Sequence, residues 1–348
     1  MVGKSIRLRL VTILLILLLL ACNLPFLTRG GEKGGRSERE EKEVSDLGLT
    51  RTNPYPYGEP AFSEFWEIRV RESVRGSEAW EILEAENPNN EPPPEGWEYV
   101  LLRLWARSRI PNGEKRKLGL WMTGEMGVLR NKGGAVTPTP RLLYEFSQEQ
   151  IEGWVTFLVP ADEGHRMLVF REYETDNRYR YVALEEGALI LTDLALDDIS
   201  VTSTGITPKQ AAALGETVTT EEWEITVEEV VVGEKAWEIL YETNSYNDPP
   251  KEGLKYVLVS VRARYIGIDE GPVPILTIDF ATLGSERQRY EPPSVVEPEP
   301  AFSSVSLYPG GSYTGWVALQ VNEGAEEPFL VVEPGYDDAN RRYLRLTP

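Results

Sequence analysis

The chain has 348 residues and a formal net charge of −20, and it contains a single cysteine. A body this acidic is repelled by nucleic acid phosphates and by anionic lipid headgroups, which excludes nucleic acid binding as the function. With one cysteine the fold has no internal disulfide, so apolar cores must supply its stability.

The first residues predict an export signal. A basic start from Met1 to Arg9 precedes an apolar run of about a dozen residues, from Leu10 to Ala21, which is interrupted only by Thr12. This arrangement is typical of a secretory signal, and the run is shorter than the roughly 20 residues of a membrane-spanning helix. The residues Leu19-Leu20-Ala21-Cys22 resemble the lipobox of bacterial lipoproteins, in which the cysteine is lipidated and becomes the new N-terminus. The resemblance implies a signal peptide over residues 1–21 and a palmitate-bearing membrane anchor on Cys22. A stray cysteine behind an ordinary signal peptide is the alternative.

Residues 22–53 are predicted to form a flexible tether. The stretch 28–52 is rich in Gly, Glu, Arg and Lys and has few apolar residues, so it cannot bury enough surface to fold. Without Lys4, Arg7 and Arg9 of the signal, the net charge becomes −23. We expect a lipid-anchored body on the cell membrane, exposed outside the cytoplasm.

Two copies of one domain follow the tether. Trp66-Glu-Ile-Arg-Val and Trp223-Glu-Ile-Thr-Val lie 157 residues apart, whereas Gly153-Trp154-Val155 and Gly315-Trp316-Val317 lie 162 apart. The second copy has therefore gained five residues, which we place near Pro292–Pro300. A long period with an internal insertion indicates tandem globular domains, since solenoid repeats run about 20–50 residues. We assign domain 1 to residues 54–187, a linker to 188–207 and domain 2 to 208–348.

Each copy has a mainly β pattern. Trp66, Ile68 and Val70 alternate with charged residues, as in a half-buried strand. Further strands are predicted at 99–107, 153–159, 167–173 and 178–184, and Ser77 is predicted to cap a short helix ending near Glu86. Many short strands without a βαβ rhythm predict an all-β fold of two antiparallel β-sandwiches, each with a short inserted helix.

The repeated motifs resemble a known family. They are Gly-Glu before Trp-Glu-Ile-x-Val, then Ala-Trp, an Asn/Pro-rich turn, Tyr-Val-Leu, Gly-Trp-Val and a closing Arg-Tyr-x-x-Leu. This combination resembles a telokin-like domain of unknown function that occurs in secreted bacterial lipoproteins and is related to a mycobacterial immunoprotective extracellular protein. The resemblance covers both copies and implies an immunoglobulin-like sandwich. It brings no catalytic residue with it.

Residues suited to catalysis or metal binding do not form a pattern. His165 is the only histidine and has no counterpart in the second copy, so a histidine metal site or a Cys–His dyad cannot form. Acidic pairs such as Asp197-Asp198, Glu326-Glu327 and Asp337-Asp338 could bind calcium weakly, but solvated carboxylates explain them better. We expect no enzyme activity, no cofactor and no metal, with a carboxylate-only glycosidase as a remote alternative.

Aromatic residues supply the candidate binding sites. Three tryptophans have no aromatic counterpart in the second copy: Trp97, Trp105 and Trp121. By alternation Trp105 shares a strand face with arginines, where it would be either an exposed contact or covered by arginine stems. Tyr246 is expected to project from the second Asn-rich loop, whose Asn, Pro and Gly residues we interpret as architecture.

The sequence therefore predicts a non-enzymatic cell-envelope lipoprotein whose paired domains bind an envelope or extracellular protein or another extracellular ligand. Carbohydrate or cell-wall binding through exposed Trp and Tyr is the alternative.

Overall fold

The computed structural model describes residues 46–109, 116–142, 145–146, 150–172, 178–190, 196, 198–284 and 287–347. The predicted signal peptide, Cys22 and the tether as far as residue 45 lie outside this part. Among the helices that are described, none is long and apolar enough to cross a lipid bilayer.

The described residues of copy 1 form nine short strands and one helix. These are β1 (Ala61–Phe62), β2 (Trp66–Arg75), α1 (Gly76–Glu86), β3 (Trp97–Ser108), β4 (Arg116–Thr123), β5 (Val128–Leu129), β6 (Glu145–Phe146), β7 (Gln150–Pro160), β8 (Met167–Glu172) and β9 (Tyr179–Ala183). The four strand segments predicted after the first one all coincide with observed strands: β3, β7, β8 and β9.

Copy 2 repeats this series with a few differences. Its elements are β10 (Thr217–Thr219), β11 (Trp223–Val232), α2 (Glu234–Thr243), β12 (Leu254–Tyr265), β13 (Val273–Leu276), β14 (Phe280–Leu283), β15 (Arg289–Tyr290), β16 (Ser304–Leu307), β17 (Ser312–Asn322), β18 (Phe329–Val332) and β19 (Arg342–Arg345). All the pairings between these strands are antiparallel, which confirms an all-β fold.

Each copy contains two four-stranded sheets that face each other. The strand orders are β1-β2-β3-β7 and β6-β4-β8-β9 in copy 1, and β10-β11-β12-β17 and β15-β14-β18-β19 in copy 2. The same bulge interrupts β2 between Val70 and Glu72 and β11 between Val227 and Glu229. The apolar sides of both sheets meet in one core per copy, with Trp66 and Trp223 almost fully buried. Each copy is thus a β-sandwich, with charged residues of the alternating pattern on the outside.

The two helices cover half of an outer sheet face in each copy. Ala79 and Leu83 of α1 pack on Tyr99 and Leu101, and α2 packs in the same way. The predicted cap at Ser77 is wrong, because α1 begins at Gly76 and its N-cap, Arg75, makes no side-chain hydrogen bond. Gly76 and its counterpart Gly233 have φ values of +64° and +74°, and only glycine adopts this backbone without strain. A glycine at the strand–helix turn therefore replaces a polar cap.

Two asparagines, Asn247, which is buried, and Asn90, which is partly buried, fix the loops that follow the helices. The side-chain amide of Asn247 donates to Leu240 O at 2.8 Å and to Val296 O at 2.9 Å, and its oxygen accepts from Val296 N at 2.8 Å. Asn90 makes the same three bonds in copy 1, to the carbonyls of Leu83 and Val136 and from Val136 N. The architectural interpretation of the Asn-rich loops is therefore confirmed.

The predicted position of the five residues gained by copy 2, near Pro292–Pro300, is wrong. Leu120 pairs with Phe170 in copy 1 as Phe280 pairs with Val332 in copy 2. Three residues are therefore gained before Phe280, where the turn Thr277–Asp279 breaks a strand that is continuous in β4. The other two are gained between Phe302 and Trp316, because Phe302 N donates to Trp316 O as Leu142 N donates to Trp154 O. The repeated motifs revealed the size of the gain but could not locate it.

A small sheet joins the two copies. Its strand order is β13-β16-β5, so that Leu129 of copy 1 pairs with Ser306 of copy 2. Beside it the backbones touch at two glycines: a Cβ on Gly311 would lie 2.3 Å from Gly127 O. Residues 46–348 accordingly form one compact unit.

Aromatic and basic side chains fill the rest of this junction. Tyr181 and Tyr308 pack edge to face with their ring centroids 6.0 Å apart. The guanidinium of Arg51 lies 4.4 Å from the Tyr308 ring centroid and donates to Gly124 O at 2.6 Å. Burial lowers the pKa of Arg51 and raises that of Tyr308.

The boundaries of the tether and linker differ from those expected from composition. Residues 46–53, which the sequence analysis included in the tether, belong to the folded body: Arg51 is buried and Tyr181 N donates to Gly48 O at 2.9 Å. The predicted linker 188–207 is bound at both ends, since Ile190 N donates to Arg51 O and Tyr343 N donates to Gly205 O.

Candidate functional site

The most exposed large apolar side chain among the described residues belongs to Tyr246, which is 92% exposed. It lies just after α2, next to Asn247. Tyr241, in the last turn of α2, is 52% exposed, and Val296, which Asn247 holds, is 51% exposed. We use the name aromatic loop for this group of three residues: Tyr246 in the loop, Tyr241 in the preceding helix α2, and Val296 in the segment bound to Asn247. The predicted outward projection of Tyr246 agrees with this geometry.

The support beneath the aromatic loop is rigid. The ring of Trp237 lies 5.5 Å from the Tyr241 ring and 6.1 Å from the Tyr256 ring, measured between centroids. The Tyr256 hydroxyl donates to Asp248 O at 2.9 Å, on the far side of Asn247. Burial, followed by the nearby Asp248 carboxylate, raises the pKa of Tyr256, so its hydroxyl remains a donor. Together with the three bonds of Asn247, these contacts connect the loop to α2, to β12 and to the segment around Val296.

Copy 1 has the same support but lacks the aromatic side chains. Glu84 and Asn89 occupy the positions that correspond to Tyr241 and Tyr246, 157 residues earlier, and both are exposed. Trp80 stacks on Tyr99 below them, with ring centroids 6.2 Å apart. Tyr246 was predicted from the sequence, whereas Tyr241 was not. Aligning the two copies would have revealed it, because the position of Tyr241 is occupied by Glu84 in copy 1.

Trp105 is not an exposed contact residue. Only 8% of it is exposed, because it lies beneath arginine side chains on the outer face of β3. The guanidinium carbons of Arg69, Arg71 and Arg107 lie 5.4–5.6 Å from its ring centroid. The second of the two alternatives, cover by arginine stems, describes its position, as is usual for long cationic side chains over apolar surface.

The other two candidate tryptophans are partly buried and lie in different places. Trp97, at the start of β3, has the Arg130 guanidinium 5.1 Å from its ring centroid. Trp121 lies on β4 in the opposite sheet and packs edge to face on Tyr179, beside the junction cluster of Tyr181 and Tyr308. The candidate residues of the sequence analysis therefore do not form one surface.

The structure also locates the residues that were weighed for catalysis or metal binding. His165 is exposed in a turn, as expected. Asp337 accepts a hydrogen bond from Ala339 N and Asp338 pairs with Arg341, so these carboxylates stabilise a turn. Within the described ranges there is no group of three or more His, Cys, Asp or Glu residues that could hold a metal ion.

Comparisons with known proteins return little. No protein-family model matches the chain, and no curated protein is similar to it. Among solved structures it is similar to a candidate lipoprotein (ycdA) from Bacillus subtilis, with a TM-score of 0.30 and 13% identity over 37% of each chain. It is also similar to the yjhA protein from Bacillus subtilis, with a TM-score of 0.28 and 16% identity over 39% of this chain and 99% of that one. The chain thus spans just over a third of the length of the first of these proteins. Similarity this low carries no argument about function, and the resemblance to the telokin-like family rests on the sequence motifs alone.

Proposed function

We propose that this chain is a non-enzymatic, lipid-anchored protein of the cell envelope, and that its paired immunoglobulin-like sandwiches bind another protein through the aromatic loop. The observation that carries the proposal is the 92% exposure of Tyr246 on a loop held by three hydrogen bonds of a buried asparagine.

An exposed tyrosine suits protein recognition when its backbone is already ordered. Tyrosine offers a large contact area and loses little conformational entropy on binding. A loop that is fixed beforehand avoids the ordering cost that weakens flexible contacts. Tyr241 and Val296 are also exposed and belong to segments that flank Asn247, and loops on a rigid sandwich are common binding elements.

The proposed location rests on the sequence. The lipobox-like residues 19–22 and the preceding signal support a lipid on Cys22 and a position outside the cytoplasm. One acyl chain anchors only weakly, and stable attachment needs more than one. Mass spectrometry of the purified protein tests this directly: a chain that begins at a lipidated Cys22 is expected, and an intact Met1 N-terminus would contradict it.

The binding function is tested by replacing the two tyrosines of the aromatic loop with the residues found at the corresponding positions of copy 1, Glu84 and Asn89. We expect Tyr241→Glu with Tyr246→Asn to lose a partner that the wild-type protein retains after crosslinking and purification from detergent-solubilised envelope. The matched control is Glu84→Gln with Asn89→Ala, which changes the corresponding positions of copy 1 and should retain the partner. Retention by both variants, or loss by both, would remove the aromatic loop from the function.

Carbohydrate binding is the second candidate. One observation favours it: Tyr241 packs on Trp237 in a helix that also exposes the carboxylates of Glu238 and Glu242, a combination suited to a sugar ring and its hydroxyl groups. A glycan array separates the two, because sugar binding that disappears in the Tyr241→Glu, Tyr246→Asn variant would replace protein binding as the function. Hydrolysis of an arrayed glycan would instead revive the carboxylate-only glycosidase.

A further inference from the structure

Five arginines gather on one outer face of copy 1, on a chain with a formal net charge of −20. They surround Trp105 on the part of β2 and β3 that α1 leaves uncovered. We call this set the arginine face: Arg69, Arg71, Arg103, Arg107 and Arg109. Three of them cover Trp105, as described above, and the side chains of Arg69, Arg103 and Arg107 are 42–56% exposed.

The carboxylates nearby do not neutralise the arginine face. Glu67 is buried and is shared by Arg69 and Arg107. Its own burial raises the pKa of Glu67, but the hydrogen bonds from these arginines outweigh that effect and leave its pKa below the ordinary value. Arg103 pairs with Glu152 at 2.7 Å and also lies opposite Glu72.

Arg71 and Arg109 supply the excess positive charge of the face. Among the described residues neither makes an ion pair with a carboxylate. Arg71 lies over the Trp105 ring, and Arg109 donates to a backbone carbonyl, Ser63 O, at 2.5 Å. Among the side chains that the structure describes, five guanidinium groups thus face three carboxylates, so this part of the surface is net positive.

One aromatic side chain borders the face at its edge. Phe62, on the edge strand β1, is 38% exposed, and the Arg109 guanidinium lies 5.6 Å from its ring centroid. Cations beside exposed aromatic rings are typical of a surface that lies in the headgroup region of a membrane.

Copy 2 has the same sheet without this chemistry. The positions that correspond to Arg69, Arg71, Arg103 and Arg109 are occupied by Thr226, Glu228, Ser260 and Ile266, in that order. The two arginines on this face of copy 2 are each paired with one carboxylate: Arg262 with Glu228 and Arg264 with Glu224. Phe62 corresponds to Thr219, which is buried. The cationic surface therefore does not follow from the fold.

We infer that the arginine face lies against the membrane and binds the phosphate groups of anionic lipid headgroups. The sheet presents its guanidinium groups on an open strand face, which fits a planar array of phosphates, and arginine binds phosphate in a bidentate manner. The choice of a membrane rests on the proposed lipid on Cys22, since only 23 residues separate it from Asp46. The acidic body as a whole is repelled by anionic headgroups. Charges more than about 8 Å from the membrane are largely screened at physiological ionic strength, so the local positive charge of the arginine face decides the contact.

The test uses the mature chain from residue 22 with Cys22→Ser, so that no lipid anchor contributes. We expect it to sediment with vesicles of phosphatidylcholine mixed equally with phosphatidylglycerol, and not with vesicles of phosphatidylcholine alone. The variant Arg69→Thr, Arg71→Glu, Arg103→Ser introduces the residues of copy 2 and should weaken binding at least tenfold, since each basic residue near an anionic surface contributes roughly fivefold. The control Lys235→Glu, Lys251→Glu changes the net charge by the same amount at exposed positions of copy 2 and should bind almost as well as the parent.

Several results would overturn the inference. They are equal binding to both kinds of vesicle, equal binding of the triple variant, an equal loss in the lysine control, or complete displacement by soluble polyphosphate at matched phosphate concentration. Because the triple variant uncovers Trp105, circular dichroism must show that it is folded, and Arg71→Glu alone provides a milder variant with the same expected direction. A failure of the proposed lipid anchor would be detected separately, by the mass spectrometry that tests whether the chain begins at a lipidated Cys22.

Discussion

The two loop asparagines, Asn247 and Asn90, allow a sharp test of what holds the loops of this fold. Replacing Asn247 by alanine removes both donors and the acceptor that connect α2 to the segment around Val296. Leu240 O keeps a second donor, Asn244 N at 3.0 Å, so its loss is partly compensated. The backbone N–H and C=O of Val296 lose the asparagine partner altogether.

The expected cost follows from these bonds. A net contribution of about 1 kcal/mol per hydrogen bond, with a larger penalty for a group left without a partner, predicts a loss of roughly 2–4 kcal/mol in the free energy of unfolding. Asn90→Ala should cost somewhat less, because its three bonds have nearly the same lengths but Asn90 is only partly buried. The double variant should lose the sum, since the two asparagines share no partner.

Urea unfolding followed by tryptophan fluorescence measures these differences. Tyr246→Ala is the control, because it removes a side chain that is almost fully exposed and should change the free energy of unfolding by less than about 0.5 kcal/mol. A loss below about 0.5 kcal/mol in Asn247→Ala would refute the role given to the asparagine. A loss as large in Tyr246→Ala would show that the loop side chains, and not the buried amide, stabilise this region.

Three further predictions concern the junction and buried side chains. Gly311→Ala places a methyl group against Gly127 O and should destabilise the protein by about 1–3 kcal/mol in urea unfolding. Gly271→Ala is the control, because a methyl group there meets open space. Equal stability of the two variants would contradict the close contact between the copies. Burial raises the pKa of Glu297, and so does nearby Glu299, so the stability that Glu297 contributes is present below about pH 4 and is lost as pH rises through its folded pKa. Glu297→Gln keeps the acceptor for Ala318 N and should unfold at higher urea than wild type at pH 7 but not at acidic pH; a constant difference across pH would argue against the burial of an ionised group. Hydroxyl-radical footprinting should oxidise Tyr246 far faster than Trp105, and comparable rates would show that the arginines do not cover the tryptophan.

Local patterns predicted the elements of this fold well. The alternation beginning at Trp66 identified β2, and the constant spacing between repeated motifs identified the duplication before any strand was known. Alternation records only which side a residue faces, however. It placed Trp105 outward correctly but could not show that Arg69 and Arg71, from the neighbouring strand and its bulge, close over the ring.

The junction could not be predicted because its contacts join residues distant in sequence. Val128 and Leu129 form a strand of only two residues, and their partners lie in the other copy. Gly127 and Gly311 look like ordinary turn glycines until the backbones that they bring together are known. Of the candidate site, the architectural role of the Asn-rich loop and the outward projection of Tyr246 were predicted from the sequence, whereas the bonds of Asn247 and the arginine face required the structure.

The strand pairing between the copies also bears on the order in which the protein matures. A chain is made from its amino end, and β5 gains its neighbour β16 only when residues 304–307 have emerged. Until then copy 1 carries an unsatisfied strand edge beside Gly127, at which a second unfinished chain could pair. In the finished chain β16 covers this edge, so copy 1 has its full set of strand pairs only after most of copy 2 has been made.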